Sequence, residues 1–245
     1  MRRSFITCAF CLGFLSGCSP SQAPVPKPTP RQPAESNPAP SATSGFDVLE
    51  VVGACEIAKG RVGAIDVLVL SNARAGFKLL LPQLPSPQID CSPELAKKRP
   101  GLVATVYFKA TDAYVALFSE PSNEVISEKR TLEAIGAGHA KKLVDELKAT
   151  PREPSVDGLP GAMIATVEAD VPTPKGGAVT ALQLVTVRQR SSDKRVFSLW
   201  VSLGEPTAEE RGLWRSYLAL PENPGIQSSS GEPVAPSPPK NAATH

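Results

Sequence analysis

The sequence predicts an α+β domain framed by two proline-rich ends. Runs of alternating apolar and polar residues indicate paired strands, and apolar residues at spacings of three and four indicate a long helix. The chain has 245 residues and 26 prolines, and the prolines are concentrated toward both ends. We therefore predict one α+β domain at 46–221, the length of a single compact domain, between a linker at 18–45 and a disordered tail at 222–245.

The clearest strand signal is a hairpin near the end of the domain. Residues 182–190 and 196–203 flank a polar stretch at 191–194, and in the second run Phe197 and Leu199 alternate with serine and tryptophan. Such alternation turns one face of a strand inward and the other outward. Shorter apolar runs predict further strands at residues 66–70, 76–81, 102–109, 113–118 and 163–169. A proline-containing loop from Pro85 to Pro100 is predicted between the second and third of these strands.

Two amphipathic helices are predicted. The first begins near Ser127 and ends before Pro151, and its apolar stripe is formed by Leu132, Ile135, His139, Leu143 and Leu147. The second begins at Thr207, which has the capping-box spacing to Glu210, so that each side chain can satisfy the other's backbone N–H. Its apolar face is formed by Leu213, Trp214, Tyr217 and Leu218.

The first 17 residues have the pattern of a secretory signal peptide. Arg2 and Arg3 are followed by an apolar run from Phe5 to Leu15 and then by small residues. The run is too short to span a bilayer, which needs about 20 apolar residues. The arginine pair is also compatible with twin-arginine export, so the route stays open between that and the general secretory pathway.

The segment Leu15-Ser16-Gly17-Cys18 resembles the lipobox of bacterial lipoproteins. That resemblance implies that the Cys18 thiol receives diacylglycerol, that the signal is removed, and that the new amino terminus is acylated, typically with palmitate. Two or three acyl chains on one residue are enough for stable anchoring. We therefore expect a membrane-anchored chain. Aspartate after the lipidated cysteine often signals inner-membrane retention, and this chain has Ser19 at that position. The serine favours the outer membrane, facing the periplasm.

Composition argues against nucleic acid as a partner. The formal net charge is only +2, whereas nucleic-acid binding usually calls for a strongly basic face. Aromatic residues make up 5% of the chain, which leaves few rings for stacking on bases. The partners we expect are the membrane, through lipid on Cys18, and an envelope protein or cell-wall component.

Three of the five cysteines remain after removal of the signal, because Cys8 and Cys11 lie within it. Cys18 is the predicted lipid acceptor, so the domain keeps only Cys55 and Cys91. An even number of cysteines in an oxidising compartment predicts a disulfide between Cys55 and Cys91. The alternative is two separate buried thiols. A metal site would need more ligands than two cysteines without histidine, so we predict no metal and no cofactor.

The order of elements resembles the PsbP-like fold, which includes DcrB-like lipoproteins. The likeness is carried by short motifs of low specificity: Gly76 to Pro82, the turn Asp157 to Gly161, the hairpin Arg188 to Trp200, and Trp214 to Tyr217. The resemblance implies a central antiparallel sheet with helices packed on its faces, and an accessory, binding or assembly role rather than catalysis. It transfers no functional residue, since these positions are strands and turns.

Candidate chemistry in the domain is sparse. His139 lies on the helical stripe and is expected to be a core-edge side chain; the paired acids Glu209–Glu210 and Glu168–Asp170 fit a helix start and a strand edge. The basic run at 97–99 fits a solvated loop, or a site for anionic lipid or a partner. Trp200 either marks a contact surface or is covered by a helix. We expect a non-enzymatic, lipid-anchored envelope module. The alternatives are an envelope hydrolase with unidentified acids, and a carrier with an apolar pocket between helix and sheet.

Overall fold

The computed structural model describes residues 47–220 and 223–226, and this part of the chain confirms the α+β class. Its helices are α1 (Glu94–Lys98), α2 (Glu128–Leu147) and α3 (Ala208–Leu218). Its strands are β1 (Asp47–Val52), β2 (Cys55–Val62), β3 (Ile65–Asn72), β4 (Phe77–Pro82), β5 (Gln88–Asp90), β6 (Leu102–Phe108), β7 (Ala113–Glu120), β8 (Thr150–Pro151), β9 (Ser155–Leu159), β10 (Ala162–Pro172), β11 (Ala178–Gln189), β12 (Val196–Gly204) and β13 (Gly225–Ile226).

The strands form two sheets. A five-stranded sheet has the order β1-β2-β3-β4-β13, and an eight-stranded sheet has the order β5-β6-β7-β12-β11-β10-β8, with β9 also paired to β10. Each pairing between these described strands is antiparallel. The antiparallel arrangement was predicted, but the smaller sheet as a separate layer was not.

The smaller sheet covers one face of the larger sheet. Side chains from both sheets form one core cluster, in which Leu70 and Leu79 of the smaller sheet join Val106, Leu184 and Leu199 of the larger. Helix α2 covers the opposite face, mainly over β10 and β11. Helix α3 contacts both β4 and β10 and so joins the two sheets at one side.

The predicted hairpin and helices are present. Strands β11 and β12 pair from Gln189↔Val196 to Ala181↔Gly204. Helix α2 begins after Ser127, and both hydrogen bonds of the Thr207–Glu210 capping box are formed at the start of α3. Local sequence signals therefore located these elements correctly.

The prediction of a loop between Pro85 and Pro100 is wrong in part, because β5 and α1 lie within it. Strand β5 pairs with β6 from Gln88↔Tyr107 to Asp90↔Thr105. Its three residues have no periodicity of their own, and only pairing with a distant strand makes them regular.

The predicted domain boundary after Pro221 lies too early. Asn223 is buried, and its side-chain amide donates to the carbonyl oxygens of Leu80 (2.8 Å) and Tyr217 (2.9 Å) and accepts from the Leu80 N–H (3.2 Å). Strand β13 follows and pairs with β4. The segment predicted as disordered at 222–245 thus contains the buried Asn223 and, at Gly225–Ile226, a strand of the smaller sheet.

Candidate functional site

The predicted site residues fall into two groups. Cys18 lies outside the described residues. Cys55 and Cys91 form the predicted disulfide, with a Cα–Cα distance of 5.9 Å, and both side chains are buried. Cys55 begins β2 in the smaller sheet and Cys91 follows β5 in the larger, so the bond joins the two sheets covalently.

His139 is on the face of helix α2 that packs against the larger sheet. Its ring meets the Trp200 ring edge-on, with 5.8 Å between centroids, and only 2% of the residue is exposed. Burial, with a smaller contribution from the Lys142 ammonium, lowers its pKa to about 4, so the imidazole is neutral at pH 7. His139 is therefore part of the packing between helix and sheet, and Trp200 is covered by a helix, as one of the two predictions had it.

Glu168, one of the paired acids, and Asp157 of β9 both make structural contacts with helix α3. The Glu168 carboxylate accepts from Arg211 of α3 at 2.8 Å and lies 3.2 Å from the Arg152 guanidinium. The hydrogen bond from Arg211 is the main reason why the pKa of Glu168 lies below its ordinary value. The Asp157 carboxylate pairs with Arg215 of α3 at 2.8 Å. These contacts attach α3 to β9 and β10.

The basic run at 97–99 ends helix α1 and is not a loop. The Lys97 ammonium pairs with Glu94 at 2.7 Å, and the Arg99 guanidinium lies 5.7 Å from the centroid of the Phe118 ring. No group of three or more metal-ligating side chains occurs within residues 47–220 and 223–226. No helix in that part of the chain is long and apolar enough to span a bilayer.

One concave site among the described residues is a groove of about 640 Å³ between the two sheets. It opens at the side where β1 ends the smaller sheet and β5 ends the larger. Its lining comes from β1, β2, β3, β5 and the connection between β4 and β5, through Glu50, Val52, Ile57, Lys59, Leu68, Gln83, Leu84, Pro85, Ser86, Pro87 and Ile89.

The floor of the groove is apolar and continuous with the main core. Ile57 and Leu68 are 6% and 5% exposed and belong to the core cluster, while Val52, Leu84 and Ile89 are only partly buried and pack against it. The core is therefore incompletely covered at this side. An apolar group that entered the groove would remove these side chains from water.

Polar groups surround this floor. The Gln83 amide donates to the carbonyl oxygen of Val67 at 3.1 Å, which holds the β4–β5 connection against the smaller sheet. Glu50 and Lys59 are exposed at the rim, and neither forms an ion pair with another described residue. The sequence did not indicate this site, because its residues are spread over four strands and a loop.

Comparison with known proteins yields a structural likeness alone. No family model matches the chain, and no curated protein matches it. Among solved structures it is similar to the solution structure of cyanobacterial PsbP (CyanoP) from Synechocystis sp. PCC 6803, at 15% identity and a TM-score of 0.42, over 65% of this chain and 92% of that one. The likeness concerns the fold only and carries nothing about what this chain binds.

Proposed function

We propose that this chain is an exported lipoprotein, anchored to a membrane of the cell envelope through lipid on Cys18, and that its domain is a non-enzymatic binding module. The proposal is supported first by the lipobox-like segment at 15–18 and the charged and apolar residues before it. The outer membrane, facing the periplasm, is the location that Ser19 favours.

The observation that carries the proposal is the disulfide between Cys55 and Cys91. Disulfides form and persist in oxidising compartments and are rare in the bacterial cytosol. This bond lies in the folded domain and is independent of the N-terminal segment, yet it indicates the same destination. Two separate features therefore support export.

A binding role is supported by how the polar side chains are used. His139 is part of the packing between α2 and the larger sheet, and Glu168 and Asp157 are bound by arginines of α3. The groove, by contrast, leaves apolar side chains partly exposed beside two charged residues. As a second candidate function, favoured by this groove, we propose a carrier of a small amphiphile. The groove lies between the two sheets, whereas the sequence analysis expected a carrier pocket between helix and sheet.

Metabolic labelling tests the anchor. Cells that make the wild-type chain receive an alkyne-tagged fatty acid, and the purified chain is probed for the tag. We expect label on the wild type and no label on Cys18→Ala, whose acceptor sulfur is missing. Cys8→Ala and Cys11→Ala are matched controls, because both residues lie in the predicted signal, and they should label like the wild type. Label that persists in Cys18→Ala would refute the anchor.

A further inference from the structure

We propose that the groove between the two sheets binds the acyl chain of a zwitterionic phospholipid, with the head group at the rim between Lys59 and Glu50. This inference rests on the proposed function, which brings the domain to a membrane surface. It names the class of ligand for the groove described above.

The volume and the apolar floor of the groove fit an acyl chain. Its volume of about 640 Å³ is within the usual range for small-molecule sites, roughly 300–1,000 Å³. Val52, Leu84 and Ile89 form its walls, and all three are half-buried side chains that already contact the core. An acyl chain over Ile57 and Leu68 would complete the core at the side where protein side chains leave it open.

The rim offers complementary charges to a zwitterionic head. Glu50 is opposite Ile57 in the β1–β2 register, and Lys59 is two residues beyond Ile57 on the same face of β2. The register shifts between Val48 and Glu50, so the direct partner of Lys59 across the pair is Asp47. Both Glu50 and Lys59 line the groove. A phosphate can approach the Lys59 ammonium while the ammonium of the same head group approaches Glu50. A free fatty acid or a purely anionic head could pair with Lys59, but it would bring no positive group to the Glu50 carboxylate.

The position of the groove along the chain supports a membrane lipid as the occupant. Strand β1, which contributes Glu50 and Val52, begins at Asp47, at the end of the stretch that leads from Cys18. A stretch of that length reaches on the order of 80 Å when extended as polyproline II. Lipid on Cys18 would therefore keep the groove within reach of the bilayer, where phospholipids are concentrated.

Titration calorimetry with a single-chain lipid tests the inference. The protein is residues 18–245 with Cys18→Ser, which removes the acceptor for covalent lipid, and the probe is palmitoyl lysophosphatidylethanolamine below its critical micelle concentration. We expect saturable binding of one lipid per chain. Absence of binding would overturn the inference and leave the anchor on Cys18 intact, since the two are measured separately.

Two neighbouring residues of β1 provide a matched pair of variants. Val52 lines the groove, while Val51 points the other way and is 64% exposed. Val52→Glu should weaken lipid binding at least about tenfold, because a carboxylate in an apolar site loses its hydration. Val51→Glu should bind like the wild type, and equal affinities for the two variants would overturn the inference.

A second variant tests the groove even if Val52→Glu fails to fold. Leu84 lies in the connection between β4 and β5, outside any strand, so Leu84→Glu tests the opposite wall with little risk to the sheets. We expect the same loss of affinity of at least about tenfold, with an unchanged thermal unfolding midpoint. Full binding by a folded Leu84→Glu protein would contradict the groove as the site.

The head-group assignment is tested by changing the lipid. Palmitate and palmitoyl lysophosphatidylglycerol carry the same chain with a purely anionic head, and we expect both to bind more weakly than the zwitterionic lipid. Glu50→Gln should reduce that preference, because it removes the carboxylate that faces the head group. Equal binding of all three lipids by the wild type would overturn the assignment to a zwitterionic lipid.

Discussion

The two sides of the sheet sandwich differ in how they are held together. At the closed side, defined by β4, β13, β10 and α3, helix α3 joins the two sheets. Trp214 of α3 packs against Phe108 of the larger sheet, and the amide of Asn223 donates to the carbonyl oxygens of Tyr217 in α3 and Leu80 in β4. At the open side, defined by β1, β5 and the connection at 83–87, the disulfide joins the sheets and the groove separates them.

The difference indicates which side is built for stability and which for binding. Trp214 is 1% exposed and Asn223 is equally buried, whereas Val52, Leu84 and Ile89 at the open side remain partly exposed. A side that is held by a covalent bond can keep an incompletely packed groove without separating. We infer that the closed side maintains the fold while the open side accepts the ligand.

The largest expected effect is at the closed side. Trp214→Ala should lower the free energy of unfolding by about 3–5 kcal/mol, because it leaves a cavity in the core between the sheets. Leu84→Ala, at the open side, should cost much less, since Leu84 is already partly exposed. Urea unfolding of both variants measures the contrast, and similar losses would contradict the distinction between the sides.

Removal of the disulfide tests how the open side is held. The double variant Cys55→Ala/Cys91→Ala should be less stable by about 3–4 kcal/mol, given the sequence separation of 36 residues and the chain-entropy model. Hydrogen exchange should rise more in β1 and β5 than in β4 and β10.

Thiol titration of the denatured wild type gives the control. Cys55 and Cys91 should react only after a reductant is added. Equal exchange rates on both sides in the double variant would show that the disulfide does not hold the open side in particular.

Asn223→Ala should destabilise the closed side by about 2–3 kcal/mol. The substitution leaves the buried backbone N–H and carbonyl of Leu80, and the carbonyl of Tyr217, without their side-chain partner. Asn223→Asp is a useful companion, because it retains the acceptor but places a buried carboxylate oxygen opposite two carbonyl oxygens, and a loss at least as large as that of Asn223→Ala is expected in thermal unfolding. An unchanged midpoint for Asn223→Ala would contradict the role of this segment.

The smallest effect concerns acid stability at the closed side. Because the pKa of Glu168 is lowered in the fold, its contribution is fully present above its ordinary value of 4.5 and is lost as the pH falls through the lower folded value. Glu168→Gln should therefore reduce stability at pH 7 and flatten the loss below about pH 4.5. Equal acid transitions in the wild type and the variant would contradict the ion pair with Arg211.

The sequence predicted elements whose signals are local. Alternation of Phe197 and Leu199 with polar residues located β12, and Thr207 with Glu210 located the start of α3, because both signals depend on neighbours along the chain. The even number of cysteines in the domain predicted the disulfide, because the prediction needs only an oxidising compartment and two partners.

The elements that were missed have weak local signals. Strand β2 pairs with its neighbours β1 and β3, but it contains the polar residues Lys59 and Arg61, and β5 has only three residues, so neither has a periodic pattern that would reveal it. The groove was beyond sequence reasoning for a different reason, since it requires the relative placement of two sheets. Trp200 does point to the polar side of its strand, but the sequence could not show that His139 of α2 would cover it.

The most direct test of the account is the mass of the N-terminal peptide from the chain purified out of its native membranes. The account predicts a peptide that begins at residue 18 and carries diacylglycerol on the Cys18 sulfur and an acyl chain on its amino group. A peptide that retains Gly17, or a Cys18 with an unmodified thiol, would contradict it.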